Sequence, residues 1–483
     1  MPVRSLLAAA LLAVPLAASA QPTDPTHAER ADRIERALVP AFAIEGEEAE
    51  PTGIAERMEE LAVPGVSVAF FEDGEVVWTR TYGLADVEAG TPVTPETRFQ
   101  AASISKPVAA TVALDLVEEG RLGLDADVNE ALTSWQVPLS EFTAEAPVTL
   151  RGLLTHTAGL TVHGFPGYGP GETVPTTAGV LDGAGNTDPV RVDQAPRTAF
   201  RYSGGGYTVM QQMVEDATGR PFADVLADRV LDPLGMAHST YAQPLPEALR
   251  SAAATGYRGD GTPVGGRFHT YPEQAAAGLW TTPTDLALWA IAVQRALGGE
   301  PHPVLDAETV RQMVTPDAVG GHGLGPGLPF EAAYFGHGGA NEGFRCLLTA
   351  QLDGDQGVVV MTNSDTGGDL MQEVVLTVAQ EYGWSGYAPQ RKAIAEVSAD
   401  RLAAFVGTYR GAERPELVVN VRTGGRGLIA TLTWSGNEID LAPETETAFF
   451  DVDDGTPIVF ADAEGSAFTV QGLRFERVEE DAD

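Results

Sequence analysis

From residue 66 onward the chain alternates between two hydrophobic rhythms. "VSVAFF" (66–71) and "EVVWTRTYG" (75–83) are short, rich in β-branched and aromatic residues and joined at Asp73-Gly74, which predicts a hairpin. The rhythm then lengthens. From Ser103 the apolar positions Val108, Val112 and Leu116 recur at four-residue steps and stop before Gly120, so an amphipathic helix with a C-terminal glycine is expected. The same spacing predicts helices at 149–155, 207–218 and 221–231, with Met210, Met213 and Val214 on a core face. Between His163 and Ala195 lies a Gly/Pro-rich stretch long enough to form a rim or lid loop. Two-residue alternation returns at "FRCLLTAQL" (344–352) and "GVVVMTN" (357–363), a second hairpin across Asp353-Gly354. Strands, then helices, then strands imply an α/β fold in which early and late strands share one antiparallel sheet and the helical part is inserted between them.

Past residue 390 the pattern changes again. "LAAFVGTYRG", "LVVNVR", "LIATLTW" and "LRFERV" are short, turn-punctuated β segments, so residues 395–483 are expected to form a small antiparallel β-barrel of lipocalin-like form. The main domain is then 51–390, preceded by a linker or helix at 21–50. Residues 1–20, "MPVRSLLAAALLAVPLAASA", carry one early charge, an apolar run and small residues at Ala18 and Ala20, which reads as a secretory leader. No later run approaches the roughly 20 apolar residues of a membrane span, so an exported protein, periplasmic or secreted, is expected.

Composition narrows the partners. Acidic residues number 68 against 30 basic ones, for a net charge of −38, a surface that repels nucleic acid and anionic membranes. The expected partner is a small molecule or short peptide. The lone cysteine, Cys346, excludes an intrachain disulfide, and its alternation with Phe344, Leu348 and Ala350 gives it a packing role. Eight histidines occur without metal-ligand spacing, so neither metal nor cofactor is expected. His156, in "LLTHTAGL", reads as a structural hydrogen-bonding residue, and His163 and Tyr168 as solvated loop positions.

The sharpest chemical signal is a scarcity. Only two lysines occur, Lys106 and Lys392. Lys106 follows Ser103 by three residues, one turn along the same helical face, so amine and hydroxyl can meet. Burial and the positive end of a helix both disfavour an ammonium there, and a neutral amine beside a serine is a base beside a nucleophile. Arginine stays protonated and cannot replace it. The bland alternative is coincidence in a serine-containing chain, and only further motifs decide between the two.

Those motifs are present in order. Ser103-Ile104-Ser105-Lys106, "YSGGGY" from Tyr202 and "HGGAN" from His337, together with "LLTHTAGL", "LDPLGM" and "AAAGLWTTPTDLALWA", resemble the motifs of serine β-lactamases and penicillin-binding proteins, in particular the class C β-lactamase-related serine hydrolases, over about residues 50 to 390. The resemblance implies an antiparallel sheet flanked by helices, with an all-helical subdomain and the site between them. It implies Ser103 as nucleophile, Lys106 as its base, Tyr202 as proton relay, and His337 at the place of the lysine of the Lys-Thr-Gly box. Gly338 and Gly339 would leave the strand edge bare, and Ala340 would supply an oxyanion N–H. Tyr202 is expected to have its pKa lowered by the neighbouring lysine. Gly204 stands where the family has the asparagine of Tyr-x-Asn, and His337 replaces a permanent cation; both departures count against efficient β-lactam hydrolysis. The activity implied is acyl transfer through Ser103 on an amide or peptide, such as a D-amino-acid peptide or a β-lactam-like substrate. A carboxylesterase of the same mechanism is the alternative, and a non-catalytic binder of cell-wall peptides is the alternative of another class.

Overall fold

The computed structural model describes residues 25–47, 51–144 and 146–478; the expected leader, residues 1–20, lies outside the described residues. The chain divides into two compact units. Of the described residues, one comprises 25–32, 65–257 and 262–363, and the other 33–64, 258–261 and 364–478.

The first unit is built on a six-stranded sheet. Its strands, Thr91–Pro92, Glu75–Asp86, Gly65–Glu72, Gly357–Thr362, Phe344–Gln351 and Tyr334–Asn341, lie in that order, and each neighbouring pair is antiparallel. Both expected hairpins form. The first turns at Asp73 and Gly74, with φ of +52° and +75°, the left-handed pair that an Asp-Gly turn supplies. Val66↔Thr362 and Phe70↔Val358 join the early and late strands in one sheet, as the element order implied. On the Phe344–Gln351 strand Phe344, Cys346, Leu348 and Ala350 all face the core. Helix Pro283–Leu297 packs across four of these strands, capped by Thr282, whose side chain accepts from Asp285 N–H, and opened by Pro283.

The helical insertion follows the expected positions, with Leu150–Leu154, Gly204–Thr218 and Phe222–Leu226 among its helices. Two expectations need correction. Helix Ser105–Glu118 is not amphipathic: Lys106, Ala109, Ala110, Thr111 and Ala113 are as buried as the Val108, Val112, Leu116 stripe. The small alanines let neighbouring helices approach on every side, and Thr111 Oγ1 is satisfied by Trp289 Nε1 at 3.1 Å, so a polar residue survives inside. Tyr168 also departs from its expected solvated position. It is buried, and its hydroxyl accepts from Asn186 N–H at 3.2 Å.

In the second unit, eight antiparallel strands from Gly407–Gly411 to Leu473–Arg477 close into a barrel through the pair Tyr409↔Arg477. Inward-facing Tyr409, Val421, Leu428, Phe449, Phe460 and Phe475 belong to its core.

Candidate active site

The site is set by a strained turn on a rigid base. Residues Ala102–Ile104 form a 3₁₀ turn directly before helix Ser105–Glu118, so Ser103 precedes the helix proper by two residues. Ala102 is held at φ +48°, a conformation costly for a residue with a Cβ, and it is fully buried. Four contacts around the turn hold it there. Ser105 Oγ donates to Ala102 O and accepts from Leu279 N–H, Tyr241 OH donates to Ser105 O, and Cys346 Sγ lies 2.9 Å from Ala101 O. Cys346 therefore braces the turn besides filling the core. Ser103 itself remains half-buried, open enough to receive a substrate.

Lys106 Nζ lies 2.9 Å from Ser103 Oγ and 2.8 Å from Ala276 O, and its ammonium position is 5.0 Å from the ring centre of Tyr202. No carboxylate is among these neighbours, and burial lowers its pKa from 10.5 to about 7. The other lysine shows the contrast: Lys392 pairs with Glu444 at 2.9 Å. One lysine is kept as an ion-pair partner and the other as an amine that can shed its proton.

Tyr202 joins the same cluster. Its hydroxyl is 3.5 Å from His337 Nε2, and its ring stacks on His156 at 4.2 Å. The expectation of a lowered tyrosine pKa is overturned. Burial raises it to about 12, and the Ser103 side chain offsets only part of that. Lysine at such a pKa is only about half protonated at pH 7, so its positive field does not offset the burial that disfavours phenolate.

His156 is structural in the expected sense. Its backbone sits at φ +58°, its Nδ1 accepts the Ser203 N–H at 3.1 Å, and its ring stacks on that of Tyr202. What no local spacing disclosed is that His322 joins it: one ring nitrogen from each of His156, His322 and His337 lies within 4.8 Å of the others. Burial, with Lys106 adding to it, keeps all three imidazoles neutral, His337 down to about 3. Hydrogen bonds set their tautomers. Nδ1 of His322 faces Gly323 O at 3.0 Å and Nδ1 of His337 faces Gly338 O at 2.5 Å, so both carry the proton there and leave Nε2 with a lone pair. His156, accepting at Nδ1, carries its proton on Nε2. With these hydrogen bonds in place the trio presents two ring acceptors and one ring donor.

The remaining expected residues lie on the edge strand Tyr334–Asn341, except Gly204. Gly338 and Ala340 are exposed there, and a Cβ on Gly338 would meet nothing closer than 4.0 Å, consistent with a bare edge. Gly339 is glycine for a different reason. A Cβ would come within 2.3 Å of Ala101 O and 3.2 Å of Ala102 Cβ, the backbone that carries Ser103. Gly339→Ala should therefore shift the nucleophile turn. The expected result is a protein destabilised by about 1–3 kcal/mol, as overpacking costs, that reacts with a serine-directed fluorophosphonate at least about ten-fold more slowly. Thermal melting and labelling rates check both numbers. Gly204 opens helix Gly204–Thr218, and a Cβ there would be 3.0 Å from the Phe165 ring and 3.1 Å from His163 O. The space an asparagine would need is thus taken by the 163–165 loop. Asn341, which closes the "HGGAN" motif, has a role its sequence position does not disclose: its buried amide donates to Gln100 Oε1 and Ala277 O, tying the edge strand to the floor of the site.

Comparison with known proteins agrees with this geometry. The Beta-lactamase family profile matches residues 53–380. A D-aminopeptidase of Brucella anthropi is 27% identical over 397 residues, 79% of this chain and 70% of its own length. Esterase EstB of Burkholderia gladioli is 34% identical over 202 residues, 40% of this chain and half of the esterase. The octameric penicillin-binding protein homologue from Pyrococcus abyssi superposes with a TM-score of 0.60 at 23% identity, over 87% of this chain and 98% of that one, a likeness of fold.

Proposed function

This chain belongs to the Beta-lactamase family, and on that premise we propose that it is an exported serine hydrolase that forms an acyl-enzyme on Ser103. The observation that carries the reading is the buried Lys106 amine, 2.9 Å from Ser103 Oγ with a pKa brought down to about 7. In the proposed cycle Ser103 Oγ attacks the substrate carbonyl carbon and passes its proton to Lys106 Nζ. The resulting oxyanion sits between the N–H groups of Ser103 and Ala340. The bond to the leaving nitrogen or oxygen then breaks as that atom takes the Tyr202 phenol proton, which Lys106 replaces. Water adds to the acyl-enzyme, Ser103 regains its proton, and the acid departs.

The neutral trio of His156, His322 and His337 bears on the substrate. It offers hydrogen bonds and no fixed cation, so a carboxylate on the leaving side finds no counter-charge. That favours an amide, such as a peptide with an N-terminal D-residue, or an ester, over a β-lactam; the D-aminopeptidase and esterase relatives point the same way. Among the described residues no helix is long and apolar enough to cross a membrane, and the leader-like residues 1–20 support export, with Gln21 as the first residue of the mature chain. A side-by-side panel tests the substrate: a D-alanyl peptide and a p-nitrophenyl ester should be cleaved and a chromogenic cephalosporin turned over slowly at best. Cephalosporin turnover above the other two would overturn the ranking.

A further inference from the structure

An eight-stranded barrel is just wide enough either to be filled by its own side chains or to hold one small ligand. The C-terminal barrel is filled at one end and hollow at the other. Toward the turns at 425–426 and 461–466, Phe405, Tyr409, Phe449 and Phe460 fill the interior with ring centres 4.3–6.0 Å apart. Toward the turns at 433–437, 452–456 and 471–472 aliphatic positions join the rings of Phe460, Phe468 and Phe475 and leave the interior open. Val419, Val421, Ala430, Leu441 and Ile458 there surround a cavity of about 290 Å³. Its rim is apolar as well: Trp434 and Leu473 are 49% and 41% exposed. A pocket at the small end of the usual ligand range of about 300–1,000 Å³ suits one chain or ring and excludes a lipid with two tails.

The rim also has a charge. Asp451 stands two residues from Phe449 on one strand, hence on the same inward face, and it lines the cavity with Asp454 and Thr456. Its Oδ1 accepts from Asp453 N–H at 2.9 Å, and no lysine, arginine or histidine is among the lining residues. Burial first, and then Asp454, Asp453 and Asp440, push its carboxyl up to about 6. A partly desolvated carboxylate at the mouth of an apolar cavity is matched by a cation and repels an anion.

We propose that the barrel binds a small amphiphile, its apolar body inside the cavity and a cationic head against Asp451. This inference stands apart from the hydrolase reading, since every barrel residue it uses lies between 405 and 475. The test uses the full chain with Ser103→Ala, so that catalysis does not consume or mask the probe. Decyltrimethylammonium and decyl sulfate, each below its micelle concentration, are titrated by calorimetry and by Trp434 fluorescence, with Trp434→Phe as the blank. The ammonium should bind with one site per chain and at least ten-fold more tightly than the sulfate. Ala430→Phe, which fills the cavity, should weaken it at least ten-fold, and Asp451→Asn should bring the two probes within about three-fold of each other. Should Ala430→Phe fail to fold, the Asp451→Asn comparison decides alone. Absence of saturable binding, a sulfate that binds as tightly as the ammonium, or an Ala430→Phe protein with undiminished affinity would each overturn the proposal.

Discussion

Replacing Lys106 by arginine should reduce the acylation rate at least about 10²-fold in a protein that still folds, with a loss approaching that of Ser103→Ala. Arginine keeps a positive charge and a comparable reach, and it cannot deprotonate. If Lys106 were a fixed electrostatic prop, the arginine enzyme would stay within a few-fold of the native one. If Lys106 is the base, the whole general-base contribution goes, which runs to roughly 10²–10⁴-fold. The native pH profile carries the same distinction. A pKa lowered to about 7 means the amine is protonated and inactive below that pH and neutral above it. kcat/KM should therefore fall about ten-fold per unit below pH 7 and level off above it. The arginine variant should lose this limb altogether. Stopped-flow acylation of both proteins from pH 5 to 9 measures both outcomes, and a native rate independent of pH across 7 would remove Lys106 from the role of base.

How much of this was legible in the sequence follows from how far each feature reaches along the chain. The Gly65–Glu72 and Glu75–Asp86 hairpin could be read because its pairing, its alternation and its Asp-Gly turn are all local. Ser103 and Lys106 could be read because they are one helical turn apart and lysine is otherwise nearly absent. His322 could not. It meets His156 from 166 positions away, brought there by the packing of the whole helical insertion, and its flanking "GGHGLG" has no period that marks a site. The reason for Gly339 was likewise hidden, because the atom that forbids a Cβ, Ala101 O, lies on a different segment. The misread amphipathicity of Ser105–Glu118 has a simpler cause. Alanine scores as weakly apolar, so a helix buried on its alanine faces shows the same stripe as one that faces water. The tyrosine pKa was misjudged for an energetic reason: burial raises the phenol directly, and the same burial half discharges the lysine that was to lower it.

That last point makes Tyr202 a donor, and the donor role can be isolated by choosing the leaving group. A phenol raised to about 12 stays protonated through the working pH range, so Tyr202 cannot begin as phenolate; it can give a proton to a departing atom. An alkylamine or alkoxide cannot leave without that proton, whereas p-nitrophenolate is a stable anion and leaves without help. Tyr202→Phe keeps the ring that stacks on His156 at 4.2 Å and the packing near Lys106, and removes only the hydroxyl. It should therefore lose about 10²–10⁴-fold in kcat/KM on a D-alanyl peptide or an alkyl ester, and less than about ten-fold on the p-nitrophenyl ester. The spread between the two substrates is the diagnostic quantity. A general loss of structure, or a shifted Ser103, would depress both alike, and a phenolate base would be missed on both alike, since the attack on the carbonyl is common to them. Equal losses on the two substrates would thus remove Tyr202 from leaving-group protonation and give it the part of a base or of a packing residue beside Lys106.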